Sequence, residues 1–461
     1  MKHNQLSRRR FLRHSGHALS AMTLAGTAQL GAMAKASAQS NSEYKALVCV
    51  LLAGGADSFN MLVPTDNTHY QEYANTRTDL ALAQNQLLAL NGAQNNGRTL
   101  GLHPAMTGLQ SLFNSGNLAF LSNVGTLVQP TTTQALANGT AKLPLGLYSH
   151  SDQISQWQTA VPDFRSGTGW GGRMADILAS QNSNQRISMS ISTSGANEFQ
   201  AGRATDYYSV GTPDFPTATL EGAAQSLGNK SRQDAIDQMY SSEYNNLFRR
   251  AYRKLFNDSS AANAEFSAAL QGTSNFTTQF AGDEFSTQMQ MVAKTIAAHQ
   301  TLGMQRQTFF VTLGGWDHHD ELTTSLQTLL TMLDAGLSSL QQAINELGMA
   351  NQVTTFTTSD FARTLSSNGR GSDHGWGGNA MIMGGSVRGG SVYGTYPSLA
   401  LGNPLDTGRG VLMPTTSLDE YFAELALWFG VAPSVLNDIL PNLNRFYSAG
   451  TNNPAPIGFM S

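Results

Sequence analysis

At 461 residues, with 40% hydrophobic and only 13% charged, the chain has material for a sizeable globular core, and its 45 glycines lack the fixed triplet of collagen. The formal net charge of -4 argues against a general nucleic-acid binder, and a single cysteine excludes any intramolecular disulfide or cysteine-cluster zinc site. Such a length accommodates two to four domains, or one large α/β domain with insertions.

The N-terminus reads as a targeting segment. Arg8 and Arg9, followed by Phe11 and Leu12, make a twin-arginine export pattern. A mildly apolar stretch from Ala18 to Met33 is too short to span a membrane, and Ala36-Ser37-Ala38 offers a small-residue cleavage site. Residues 1–38 are therefore expected to be a twin-arginine signal peptide, and 39–461 a single mature domain in the periplasm or secreted. The mature chain keeps 21 basic and 31 acidic residues, a formal -10, so its surface is expected to be repelled by anionic lipid and nucleic acid. No membrane span is expected in it. The export machinery is the one protein partner implied, and that route suits proteins loaded with a metal or cofactor before export.

Strand and helix patterns then alternate. Ala46–Leu52 is a continuous apolar run ending at Gly54-Gly55, the mark of a strand buried on both faces; Cys49 within it reads as core packing. Leu118–Leu121, Ile187–Ile191, Phe309–Leu313, Val353–Thr357 and Ala380–Met383 are similar. Three- and four-residue apolar spacing predicts helices over Met106–Phe113, Gln233–Phe256, Phe285–Leu302 and Thr323–Leu347. A late helix over Ser417–Phe429 places Leu418, Tyr421, Phe422, Leu425 and Phe429 on one stripe. The alternation predicts an α/β fold with a mostly parallel central sheet covered by helices on both faces, and a polar and helical insertion around 193–300.

In open parallel sheets, ligands gather outside the carboxyl ends of the strands. Asp57 follows the first strand in A-G-G-A-D-S-F-N, either as a ligand or as the cap of a following helix. Asp317 and His319, two apart in G-G-W-D-H-H-D with His318 between them, suit one cation, or else form a solvated polar loop. Asp360 ends another strand, and His374 follows it by fourteen residues, with Asp373 placed to orient its ring. Of seven histidines after residue 38, four fall in these segments: His150, His318, His319 and His374. Ser149 stands at a helix start, where it is either an N-cap or a nucleophile.

Together the leader, L-L-A-G-G-A-D-S-F-N, Y-S-H, G-W-G-G-R, G-G-W-D-H-H, S-D-F-A-R-T and S-D-H-G-W-G-G resemble domain-of-unknown-function family 1501 over roughly residues 45–445, and Leu425–Val431 also fits. That family is placed in the alkaline-phosphatase-like superfamily, with the sulfatases. The resemblance implies a three-layer sandwich and a divalent-metal site (Zn, Mn or similar) held by Asp57, Asp317, His319, Asp360 and His374. It also implies Ser149 as nucleophile by position, and Arg363 and His150 as contacts to an anionic ester, with a structural salt bridge the equal alternative for Arg363. Phe361 stands where catalytic relatives carry a histidine ligand, so one tightly held ion is expected. The function implied is an exported metal-dependent hydrolase of phosphate or sulfate esters. The alternative is an exported binding or assembly protein that keeps the fold and a partial metal site.

Overall fold

The computed structural model describes residues 43–217, 234–235, 238–239, 241–243, 245–273, 276–448 and 455–461. The signal-peptide segment 1–38 lies outside the described residues, as do 218–232 of the expected insertion and the start of the helix expected at Gln233.

In chain order the strands are β1 (Lys45–Ala53), β2 (Leu62–Pro64), β3 (Leu88–Asn95), β4 (Arg98–Leu102), β5 (Leu118–Gly125), β6 (Ser190–Ser192), β7 (Tyr208–Ser209), β8 (Arg306–Gly314), β9 (Val353–Ser359), β10 (Gly378–Met383), β11 (Val392–Gly394) and β12 (Thr416–Ser417). The helices are α1 (Asn67–Arg77), α2 (Thr107–Asn114), α3 (Thr133–Ala137), α4 (His150–Thr159), α5 (Trp170–Leu178), α6 (Leu247–Gln271), α7 (Glu284–Ala297), α8 (Leu322–Glu346), α9 (Leu418–Phe429) and α10 (Leu436–Ile439).

The main sheet runs β11-β5-β10-β9-β1-β8-β6-β7, with β12 also on β5. Its pairings are parallel except those of β10, which is antiparallel to both β5 and β9. β1 lies between β8 and β9 over almost its whole length, as its unbroken apolar run requires. Successive side chains of a strand point to opposite faces. Ala46, Val48, Val50 and Leu52 accordingly enter one core with α2, α7, α8 and the second half of α6. Leu47, Cys49 and Leu51 enter the other with α5, α9 and α10. The result is three layers.

Local differences have local causes. Ile187–Ile191 pairs only over Ser190–Ser192. A small antiparallel sheet, β2-β4-β3, was not anticipated, because β3 is largely polar and exposed and carries no apolar run. α9 begins with a capping box between Ser417 and Glu420, but it is buried on nearly every side rather than along one stripe. Its outer flank is covered by α10 and by Phe459 of the C-terminal tail, and Glu424 accepts hydrogen bonds from Ile457, Gly458 and Met460 N–H. No helix among the described residues is long and apolar enough to cross a membrane.

Candidate metal centre

Three adjacent parallel strands, β8, β1 and β9, end at the same edge of the sheet. After β1 the chain turns through Gly54 and Gly55, both at positive φ (125° and 83°). A Cβ on Gly54 would lie 2.5 Å from Asp317 N, and one on Gly55 2.4 Å from Phe361 Cε2, so only glycine lets the three strand ends pack this closely. Asp360 directly follows β9 and is fully buried, accepting Gly54 N–H at 3.0 Å. Asp317 follows β8, and His150 opens α4 directly after its N-cap, Ser149. His374 is held by a bridge pairing with Arg363 in the loop between β9 and β10.

These segments bring His150, Asp317 and His374 together as a group able to hold a cation. Nε2 of His150 lies 3.1 Å from Nε2 of His374 and 3.4 Å from Asp317 Oδ2. Nε2 of His374 lies 3.4 Å from Asp317 Oδ1. His319 joins on the other side, its Nε2 3.0 Å from that of His374 and 3.1 Å from Asp317 Oδ1.

The opposite ring nitrogens fix the tautomers. Nδ1 of His374 faces the carbonyl of Tyr148 at 2.7 Å; a carbonyl only accepts, so Nδ1 carries the proton and Nε2 of the neutral ring is a bare lone pair. Tyr148 presents that carbonyl from a left-handed conformation, φ 75°, uncommon for a bulky residue. Nδ1 of His319 lies 3.1 Å from Asp373, whose carboxyl is brought down to about 2 chiefly by a hydrogen bond from Arg409, so it too faces an acceptor. Nδ1 of His150 lies 2.6 Å from Asp360 Oδ2. Burial lowers the pKa of His374, keeping it neutral at pH 7. Burial also works against ionisation of Asp317, but the hydrogen bond and charge of Arg363, with His319 and His150, outweigh it and hold that carboxyl below the ordinary range. Burial raises Asp360, against the pull of Gly54 N–H and His150.

The donor set fits a divalent cation. Nitrogen lone pairs facing each other at 3.0–3.1 Å repel unless a proton or a cation is shared between them. A tetrahedral ion with ligand bonds of ~2.0–2.1 Å holds its ligand atoms ~3.3 Å apart. The separations here fall around that value, and each imidazole has its second nitrogen occupied, as in established metal sites.

The other expected residues are placed differently. Asp57 is fully buried, its Oδ2 ion-paired with Arg77, which also donates to the carbonyls of Thr364 and Leu365. Arg363 is 1% exposed and spends its guanidinium on Asp317 at 2.7 Å and on Ser372, so it orients a carboxylate rather than facing solvent. Ser149 is the N-cap of α4 but makes no side-chain cap bond; its Oγ lies 3.3 Å from Ser151 Oγ. Phe361 forms an apolar floor, its ring 4.9 Å from that of His150 and 4.5 Å from that of His374. His318 is buried, with neither ring nitrogen hydrogen-bonded. His150, expected as a contact to the ester, stands in the cluster that could hold a cation; its sequence signal is only a histidine at a helix start, without the Asp360 that lies behind it 210 residues away.

A family described as "Protein of unknown function (DUF1501)" matches residues 44–408. No curated protein matches the chain. Among solved structures, a sulfatase from Pseudoalteromonas sp. has 11% identity, with 87% of this chain and 71% of that one covered and a TM-score of 0.35. The lipoteichoic acid synthase of Listeria monocytogenes has 8% identity, coverage of 81% and 77%, and a TM-score of 0.33. An alkaline phosphatase has 11% identity, coverage of 70% and 64%, and a TM-score of 0.28.

Proposed function

The chain belongs to the family described as protein of unknown function (DUF1501), and we propose that its cluster at the sheet edge is a divalent-metal centre serving hydrolysis of a phosphate or sulfate ester. The observation that carries the reading is the set of Nε2 atoms of His150, His319 and His374 gathered around Asp317, with every Nδ1 facing an acceptor. His150, Asp317 and His374 would hold the ion, with His319 beside them. Three imidazoles and one carboxylate favour Zn²⁺, Mn²⁺ or a similar ion over Mg²⁺ or Ca²⁺, which take mostly oxygen ligands. Such an ion supplies Lewis-acid polarisation of the ester and a nucleophile at neutral pH.

The chain's own residues do the rest. Asp360 and Asp373 hold two imidazole rings by their Nδ1 atoms, and the Tyr148 carbonyl holds the third. Arg363 fixes Asp317 from behind. Phe361 excludes water beneath the ligands and adds no donor of its own.

A second reading, an exported binding or assembly protein that keeps the site without turnover, is favoured by two features. The Ser149 hydroxyl pairs with that of Ser151, and Asp57 is taken up by Arg77. Assays with aryl phosphate and aryl sulfate, on chelated protein and on protein reloaded with Zn²⁺ or Mn²⁺, separate the two. Metal-restored turnover supports the hydrolase. Metal binding with no turnover of either ester supports the binding protein. Ser149→Ala distinguishes a serine nucleophile, whose loss abolishes turnover, from a water nucleophile, which tolerates it.

A further inference from the structure

The side chains of Asp317 and His319 are 44% and 46% exposed, against 32% for His150 and 24% for His374, so a ligand reaches the cluster on the Asp317–His319 side. A tetrahedral oxyanion arriving there needs a cationic donor for the oxygens turned away from the metal. Arg363 is buried beneath Asp317, Arg77 is buried on Asp57, and Arg370 pairs with Asp320 and Glu321. Arg409 stands differently. Its side chain is 64% exposed, and its Nη2 donates to Oδ2 of Asp373, whose Oδ1 lies 3.1 Å from His319 Nδ1. Asp373 is the one side-chain partner of Arg409 among the described residues, which leaves Nε and Nη1 with hydrogens to donate. The backbone holds this guanidinium in place against its own preference. The loop 402–410 is folded around the carboxylate of Asp406, which accepts the N–H groups of Gly402, Gly408 and Gly410. Within it Arg409 takes a left-handed φ of 59°, uncommon for a long side chain and kept only where the surroundings enforce it. Its carbonyl accepts the Ser366 hydroxyl at 2.6 Å, tying the turn to the loop that carries Asp373 and His374.

We propose that Arg409 is the anion-binding side chain of this centre, its guanidinium turning from Asp373 to the non-bridging oxygens of a phosphate or sulfate group held at the cluster. The inference rests on the metal-centre reading above and adds to it the residue that recognises the charged half of the ester. A planar guanidinium meets two oxygens of a tetrahedral oxyanion as it meets a carboxylate, through two parallel N–H groups. Asp373 is not left bare by the exchange, because Asn368 Nδ2 at 3.3 Å and His319 Nδ1 still face it. The strained turn then has a reason: it sets a long cationic side chain at the open side of the cluster, where a residue suited to the turn, glycine or asparagine, would bring no charge.

Calorimetric titration of inorganic phosphate, and separately of sulfate, into the Zn²⁺-loaded full chain tests the proposal, with Zn²⁺ affinity measured beside it on every variant. The wild type is expected to bind at least one of the two anions, and the tighter one tells a phosphate site from a sulfate site. Arg409→Gln should weaken that binding at least about tenfold, the loss of a charge-assisted two-point contact. Arg409→Lys should restore part of it, because an ammonium keeps the charge without the fork. Arg370→Gln, which removes a cation already paired with Asp320 and Glu321, should change it less than about twofold. Zn²⁺ affinity should stay within about threefold throughout, short of the loss expected for an orienting partner. Equal anion affinity in wild type and Arg409→Gln overturns the proposal and leaves the metal reading standing. So does Zn²⁺-loaded wild type that binds neither anion. A Zn²⁺ affinity that falls in Arg409→Gln in step with the anion affinity also overturns it, since Arg409 would then act only through Asp373 and His319. Wild type that binds no Zn²⁺ removes the metal reading itself, and this inference with it.

Discussion

Replacing Asp360 by Asn tests the site through a residue that touches the cluster by way of one imidazole. The fully buried carboxylate accepts Gly54 N–H through Oδ1 and faces Nδ1 of His150 through Oδ2 at 2.6 Å. In the variant the amide oxygen keeps Gly54 N–H, so its NH₂ meets Nδ1 of His150. Two donors then oppose each other, and the ring relieves this by moving its proton to Nε2, the nitrogen that faces His374 and Asp317. His150 thereby ceases to be a ligand. Loss of such an orienting partner costs metal affinity roughly 10–100-fold, about 1.4–2.7 kcal/mol. The apo protein should not suffer, because burial already disfavours the Asp360 charge and Asn removes it. The assay is a Zn²⁺ titration against a competing chelator, paired with melting of the metal-free protein. The reasoning is refuted if affinity changes less than about threefold, below the range for an orienting partner, or if it falls only in step with apo stability.

Three further outcomes follow from other parts of the molecule. Asp419, buried at the first turn of α9 with neither oxygen hydrogen-bonded, has its carboxyl pushed up to about 8 by burial. Its folded value is raised above the unfolded one, so stability should fall as pH rises from about 4 to about 8. Asp419→Asn should remove that slope, gaining up to about 5 kcal/mol at pH 8 and little near pH 4 in thermal melts; a pH-independent difference would contradict this. Ser149→Ala should cost under about 0.5 kcal/mol, less than the usual N-cap loss, because its Oγ caps nothing; chemical denaturation measures this. Lys at both Arg8 and Arg9 should leave uncleaved precursor inside the cell, read by fractionation and blotting, whereas normal export would show another route.

The sheet was readable because buried strands advertise themselves. β1, β5, β8 and β10 contain short apolar runs and β9 is rich in β-branched residues, and each run expected from the sequence overlaps a strand. β2, β3 and β4 were not, since their pairing depends on contacts made after the chain folds rather than on any apolar period. In the site, Asp317, His319 and His374 could be picked out from loop residues at strand ends. Two partnerships needed three dimensions: Arg77, twenty residues on, pairs with Asp57, and Asp360 lies behind the His150 ring. The packing of the Phe361 ring under the imidazoles of His150 and His374 lies in ring contacts that no motif records.

Metal content bears most directly on the central reading. Protein purified without chelator from the cell that makes it, beside His374→Ala prepared in the same way, should be analysed for metals by mass spectrometry. The account predicts about one Zn²⁺, Mn²⁺ or similar ion per wild-type chain, and its near-complete loss in the variant, because His374 is the imidazole shared by both neighbours. Wild-type protein that is folded yet carries no such ion, or a variant that keeps the same content, would contradict it.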